Sequence, residues 1–546
     1  VRRIDVLATA LAAGLLAGQG GRAEAAAPPG YVLGVQTHFS QGWADPWRQT
    51  LKSTGARHVR DGLAWAKLEP RPGQYAFGPD TAGYLDWFRK QGIDVILTIE
   101  AKNPAYDGGR FVQSEAGRRA YAAYLNEILS RYGDVVYGVE VGNELNTGKG
   151  MPGVDAAAKP AAYAALLKTV YPMVKAKHPN VHIIGASTNV IGTGFIADVF
   201  RAGGGPYMDA VAVHPYRSTP EGVDGEIAHL EEVLRPLGGS KPILATEFGD
   251  SFPQASDAPA FMLKMTCLMS GRSGRIYWYT LQDEPWFKNQ GLFDTARREK
   301  PAAEAFRLLQ DELAAGPPVR IEAGDPRTFV YRLGANTFAI WGADRQISFA
   351  PGTKVRNAQG LAIAAPAAVS MTPILVSGRE SFRLGPPHVL ADSLLDYGRP
   401  EWGYFAQTAD GKLHALKMVD WIWTSYYGGA FFKPLRINVD SLAPAGGGDR
   451  AIAAVSRFTA PRAQKVRILA SLKAGTKGDG VTLIVRQNDT ILAQRQVHAE
   501  SAQVAAEASL KSGDHVDFVV SPGADSTGDV VKQHFQVVAV SGEGGR

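Results

Sequence analysis

The stretch Val135-Val136-Tyr137-Gly138-Val139-Glu140-Val141-Gly142-Asn143-Glu144 decides how this chain is read. Its first part, Val135–Gly142, is largely apolar and β-branched, as suits a strand buried on both faces. The polar pair Asn143-Glu144 then stands where the strand opens into a loop. The same grammar recurs on either side of it. Strands are predicted at Val32–His38, Ala56–Asp61, Asp94–Ile99, Val135–Gly142, Val181–Ser187, Ala210–His214, Pro242–Glu247 and Gly274–Thr280. Helical stretches separate them, among them Gly78–Gln91, Ser114–Tyr132, Ala157–Lys177, Gly225–Leu237 and Ala258–Ser270. Helical crossovers between buried strands require a parallel sheet. Eight such units predict an α/β fold, a (β/α)8 TIM barrel over residues 28–315. A doubly wound open sheet is the rival, but no Gly-rich phosphate loop follows the first strand.

Beyond Ala315-Gly316-Pro317-Pro318 the texture changes. Alternating runs such as Phe329-Val330-Tyr331-Arg332-Leu333 predict a small antiparallel β domain over 316–378. From 379 to 546 the runs Lys465–Ala470, Val481–Val485 and His515–Val520, punctuated by Gly478-Asp479-Gly480, predict a β-sandwich of jelly-roll type. Trp402, Tyr404, Trp421, Trp423, Tyr426 and Tyr427 cluster near its start. These aromatics read either as its core and its contact with the barrel, or as an exposed row for stacking on sugars.

At the N-terminus, Arg2 and Arg3 precede an apolar stretch from Val6 to Ala17, and Ala23-Glu24-Ala25 offers a small-x-small cleavage site. This is signal-peptide grammar, assigned to residues 1–27, and it predicts a periplasmic or secreted protein without stable membrane insertion. The one cysteine, Cys267, excludes an intrachain disulfide. The formal charge, 58 − 53 = +5, with no Lys/Arg run, gives no nucleic-acid footprint. The 11 histidines show no metal-ligand spacing, so no metal and no cofactor are expected.

A (β/α)8 barrel carries its active site at the C-terminal strand ends. The fourth strand opens through Asn143 onto Glu144, and the seventh, Ile243-Leu244-Ala245-Thr246-Glu247, ends on Glu247. Strands four and seven face each other across the barrel mouth. Glycosidic cleavage needs such a pair, one carboxyl to protonate the leaving oxygen and one to attack the anomeric carbon; retention requires about 5–5.5 Å between them.

Asn143-Glu144 and Glu247 at those strand ends resemble the signature of clan A glycoside hydrolases, which are retaining (β/α)8 enzymes. The resemblance, over about residues 31 to 313, implies Glu144 as acid/base, Glu247 as nucleophile and Asn143 on the sugar 2-hydroxyl. It also implies that His214 and Tyr216, in His214-Pro215-Tyr216, line the substrate site with the Tyr against the nucleophile, and that Trp278 is a sugar platform. Gly34-Val35-Gln36-Thr37-His38-Phe39 and Arg60-Asp61-Gly62-Leu63-Ala64-Trp65 are similar to family 39, especially its exopolysaccharide-associated bacterial endoglycosidases. Family 5 endoglucanases and exo-acting β-glycosidases or xylosidases are the alternatives. The implied partner is a polysaccharide or oligosaccharide, cleaved by double displacement, with Glu144 carrying the higher pKa.

Other residues divide between roles. Arg60 reads as a positive field holding Glu247 ionised, or as a structural ion-pair partner of either glutamate. His38 reads as a substrate contact or a barrel-wall histidine, and Trp65 as cleft or core. Glu100, Asp283 and Glu284 read as solvated loop acids near the mouth or as contacts to sugar hydroxyls, and His182 as structural. A transglycosylase would use the same residues; a non-catalytic polysaccharide-binding barrel would not need both carboxylates. An aldolase-like barrel would want a strand-end Schiff-base lysine, and none is found.

Overall fold

The computed structural model describes residues 30–540; the leader expected at 1–27 lies outside them. Eight parallel strands close into a barrel in chain order. They are β1 (Val32–Gln36), β2 (His58–Gly62), β3 (Asp94–Ile99), β4 (Val136–Val141), β5 (His182–Asn189), β6 (Ala210–His214), β7 (Ile243–Phe248) and β8 (Ser273–Trp278). Closure is made by β1 against β8, Val32 lying opposite Arg275. Every residue of β7 is buried, as the apolar run requires of a strand covered on both faces.

The helices pack outside this barrel by the stripes expected of them. Glu115–Tyr132 starts at Ser114, whose Oγ accepts from the Gly117 N–H at 3.0 Å, and it buries Tyr121, Leu125, Ile128 and Leu129 along one side. The Tyr121 hydroxyl donates to the Ile99 carbonyl at 2.7 Å, tying the helix to the end of β3. The connection from β5 to β6 contains the helix Thr193–Arg201, with Phe195, Ile196, Val199 and Phe200 buried. And β5 runs two residues further than expected, to Asn189, through a register shift against β6 between Gly185 and Thr188. At that shift Ala186 and Ser187 take left-handed φ values of 71° and 40°, a local irregularity that re-aims the strand end.

Helix Pro301–Leu313 packs back on β1, with Gln310 Nε2 donating to the Leu33 carbonyl at 2.7 Å. A six-stranded antiparallel sheet and a three-stranded one follow between Val319 and Leu384, the last strand, Phe382–Leu384, pairing back with Arg345–Phe349. Phe329, Tyr331 and Trp341 of the larger sheet belong to the same apolar core as the barrel. From Val389 to Ala539 an eight-stranded and a six-stranded sheet enclose a second core, where Phe518 and Phe535 stack at 4.4 Å. Trp402 and Tyr404 are buried there; Tyr426 is buried outside that cluster, and Trp421 is 39% exposed. Among the described residues no helix is long and apolar enough to cross a membrane.

Candidate functional site

Glu144 leaves the end of β4 with φ 48°, a left-handed conformation unusual for glutamate, just after Gly142 at φ 91°. That turn tips its carboxylate back over the barrel mouth, where its side chain is 27% exposed. Strain of this kind persists only where the surroundings fix it. Glu247 lies inside β7, its side chain 8% exposed. An oxygen of Glu144, an oxygen of Glu247 and a ring nitrogen of His214 all lie within 4.8 Å of one another. The Tyr216 hydroxyl donates to Glu247 Oε2 at 2.5 Å. His214 Nδ1 stands 3.5 Å from Glu144 and 3.6 Å from Glu247, a ring held between the two acids.

Beneath this pair sits an ion network that the sequence did not announce. Arg60, in the middle of β2, is 2% exposed and spreads its guanidinium over four partners. Its Nε donates to Glu140 at 2.6 Å, Nη1 to Gln36 at 2.7 Å and also to Glu247, and Nη2 to Asn143 Oδ1 at 2.8 Å. Both readings of Arg60 are therefore realised in one side chain: it fixes the barrel and it faces Glu247. Glu140 is fully buried and also accepts from Thr98, Ser187 and Thr246 at 2.6–2.7 Å. A buried carboxylate so saturated is a structural anchor, since no lone pair is left to work on a substrate.

The charges follow from these contacts. Burial alone would neutralise Glu140, but the Arg60 charge and His214 hold it far below the ordinary carboxylate range. Burial alone would also discharge His214, yet the Glu247 charge and its contacts with Glu140 and Glu144 push it up to about 9. Glu144 is held low. Burial raises it, but the His214 contact and charge, Asn189 and Arg60 outweigh that and hold it below its usual value. In the open site the shared proton of the cluster thus rests on His214 and not on Glu144.

Asn189, unnoticed in the sequence, donates from Nδ2 to Glu144 Oε1 at 2.6 Å. Its own backbone is held by Asn146: the Asn189 N–H donates to Asn146 Oδ1 at 2.9 Å, and Asn146 Nδ2 donates to the Asn189 carbonyl at 3.0 Å. Asn146 Nδ2 also donates to the Ile422 carbonyl of the sandwich at 2.7 Å. The register shift in β5 aims Asn189, and the amide of Asn146 clamps it. Asn146→Ala should therefore lower kcat about tenfold with little change in KM, as the Glu144 carboxylate loses the amide that orients it. Steady-state kinetics check this; an unchanged kcat contradicts the clamp.

Among the other residues singled out, Trp278 is corrected. Its ring is fully buried against Phe248, Phe252 and Phe261, and Nε1 donates to the Gln290 carbonyl at 3.0 Å. It faces the helix layer; the next residue, Tyr279, faces the mouth, its ring 6.1 Å from that of Tyr216. His38 lies beside Tyr279 and Trp43 and accepts at Nδ1 from Gln41 Nε2 across 2.9 Å, and burial and the Arg60 charge lower its pKa to about 4. Glu284 stands 3.6 Å from its Nε2. Trp65 is core, stacked on Tyr106 and Tyr124. Glu100 pairs with Lys102, Asp283 with Lys300, and His182 stacks on Tyr137 at the opposite end of the barrel. Glu144, His214 and Glu247 also have donor atoms close enough for a cation, but the Arg60 guanidinium already supplies positive charge against Glu247.

No family model and no curated protein sequence matches the chain. Solved structures do. A family 39 glycoside hydrolase from the gut symbiont Bacteroides cellulosilyticus WH2 aligns with TM-score 0.54 and 21% identity over 64% of this chain and 80% of that one. A family 39 β-xylosidase from Caulobacter crescentus aligns at TM-score 0.46 and 18% identity, over 66% and 98% of the two chains. A family 39 enzyme from Xanthomonas axonopodis pv. citri aligns at 0.45 and 14%, over 92% and 96%. The likeness to the first is one of fold: a closed parallel barrel followed by antiparallel sheets.

Proposed function

We propose that this chain is a retaining glycoside hydrolase that cleaves within a polysaccharide outside the cytoplasm, using Glu247 as nucleophile and Glu144 as acid/base. The observation that carries this is the approach of the two carboxylates to within 4.8 Å, on β7 and just beyond β4. Retention needs about 5–5.5 Å between the carboxyl groups, whereas an inverting pair stands about 6.5–9.5 Å apart to admit a water. The environments separate the two roles. Glu247 is buried, with Arg60 and Tyr216 both donating to it, so its charge is localised and its direction fixed. Glu144 is the more open of the two and touches a histidine that holds a proton.

The steps follow. A sugar entering the mouth strips the remaining water from Glu144, the change that favours its protonated form at the expense of His214. Glu247 attacks the anomeric carbon while Glu144 gives its proton to the leaving oxygen. Water then enters on the Glu144 side, loses a proton to it and releases the sugar from Glu247. Asn143, pinned through Oδ1 by Arg60, has no protein partner on Nδ2 among the described residues and is set to donate to a sugar hydroxyl. The fold of the first structural neighbour supports the reading, and the Arg2-Arg3 leader grammar supports export.

Removing the acid/base tests the assignment in a way that loss of folding cannot mimic. Glu144→Ala should lose hydrolysis of unactivated substrates by about 10²–10⁴-fold. It should keep turnover of a matching 2,4-dinitrophenyl glycoside, and added azide should yield a glycosyl azide of retained configuration. Azide product of inverted configuration, or full activity without azide, would overturn the role.

A further inference from the structure

The sandwich does not stand apart from the mouth. Its segment 420–424 lies against the barrel: the Gly194 N–H donates to the Trp421 carbonyl at 2.8 Å, and His229 meets Asp420 at 2.6 Å. A Cβ on Gly192 would come within 2.6 Å of the Ile422 carbonyl, and one on Gly194 within 2.8 Å of that of Asp420. Only glycine allows so close an approach of two backbones. Next to this seam is a cavity of about 350 Å³, walled by Pro215, Tyr216 and Arg217 of the barrel and by Trp421, Trp423 and Arg436 of the sandwich. Its size falls at the lower bound of ligand pockets. Tyr216 is the residue that donates to Glu247, so the cavity adjoins the reacting centre.

The charges in its wall are unequal. Glu226 is taken by Arg217 at 3.2 Å, and Asp440 by Lys532 and by Ser218 at 2.7 Å. Arg436, half-buried in strand Arg436–Ile437, makes no ion pair and no side-chain hydrogen bond among the described residues. A guanidinium with its donors unused, in a cavity with two indoles, matches a sugar ring bearing a carboxylate: the fork takes the carboxylate bidentately and an indole takes the apolar ring face.

We propose that the C-terminal sandwich completes the substrate cleft, and that this cavity is a subsite for a hexuronate residue of an acidic polysaccharide, read by Arg436 and stacked by Trp421 or Trp423. The nature of the ligand rests on the functional reading above; the existence of the site does not. Trp421, 39% exposed in the free protein, is the ring such a ligand would cover. The sandwich is then a wall of the enzyme and not a tethered binding module.

Binding is measured with the full chain carrying Glu247→Gln, so that no turnover intervenes. D-Glucuronate, D-galacturonate and D-mannuronate are each titrated beside their neutral hexoses and beside acetate, following tryptophan fluorescence and heat. At least one uronate should bind about tenfold or more tightly than its hexose and than acetate. Arg436→Gln should abolish that preference, Arg436→Lys should keep part of it, and Trp421→Ala should remove the fluorescence response. The proposal is overturned if no uronate outbinds its hexose, if acetate binds as well, or if Arg436→Gln keeps the preference. Uronate binding as expected, together with undamaged hydrolysis in the Glu144 and Glu247 variants, would leave the subsite standing and sink the functional reading.

Discussion

Glu247→Gln should reduce hydrolysis at least about 10⁴-fold, the scale on which removal of a covalent nucleophile acts, while leaving the protein folded. The amide keeps the shape of the carboxylate and one acceptor oxygen for Arg60, so the barrel loses little. The lost quantity is the negative charge that attacks carbon. Arg60 and Tyr216 converge on that charge from two strands, and neither substitutes for it as a nucleophile. Initial rates on the best substrate and a thermal unfolding curve decide the matter together. Activity within tenfold of the parent, in a folded variant, contradicts the nucleophile.

Arg60→Met should produce the largest loss of stability of any single change at the site, about 3–5 kcal/mol, because it strands a buried charge. Glu140 is fully buried, and among the described residues Arg60 is its only cationic partner besides His214. The three hydroxyl donors from Thr98, Ser187 and Thr246 then remain on a carboxylate with no guanidinium to balance it. Activity falls as well, since Glu247 and Asn143 lose a shared donor. The double variant Arg60→Met, Glu140→Gln should recover part of the stability but not the activity, the signature of a coupled pair. Denaturant titration of the parent, Arg60→Met, Glu140→Gln and the double variant checks this. Equal stability of Arg60→Met and the parent would show that the network is not what holds the mouth.

The frame and the facing carboxylates were legible in the sequence because they obey local rules. An apolar β-branched run ending on a carboxylate, repeated at strands four and seven, needs no long-range information. Glu144 and Glu247, with Arg60, His214, Tyr216 and Asn143, come together as those strand ends predict. The failures are where local rules lose. Trp278 and Tyr279 differ by one position in a strand end of period two, so an error of one residue exchanges core for mouth. Nothing in Ala186-Ser187 advertises left-handed backbone, so the shift that carries Asn189 to Glu144 was hidden. Gly192 before and Gly194 within Thr193–Arg201 masked a helix whose Phe195, Ile196, Val199 and Phe200 keep helical spacing. Both glycines abut the sandwich backbone. Asn146 reaches Ile422 across 276 positions of chain, a contact no window of sequence contains.

The central claim is that Glu247 bonds to sugar. A panel of 2-deoxy-2-fluoro glycosides with dinitrophenyl leaving groups traps such a bond, since fluorine slows its hydrolysis more than its formation. Intact-mass and peptide mass spectrometry should show one fluoroglycosyl adduct, on Glu247, formed by the glycoside whose ring matches the site and absent in Glu247→Gln. An adduct on Glu144 or elsewhere, or turnover of a matching fluoroglycoside to product of inverted configuration with no adduct, would contradict the account.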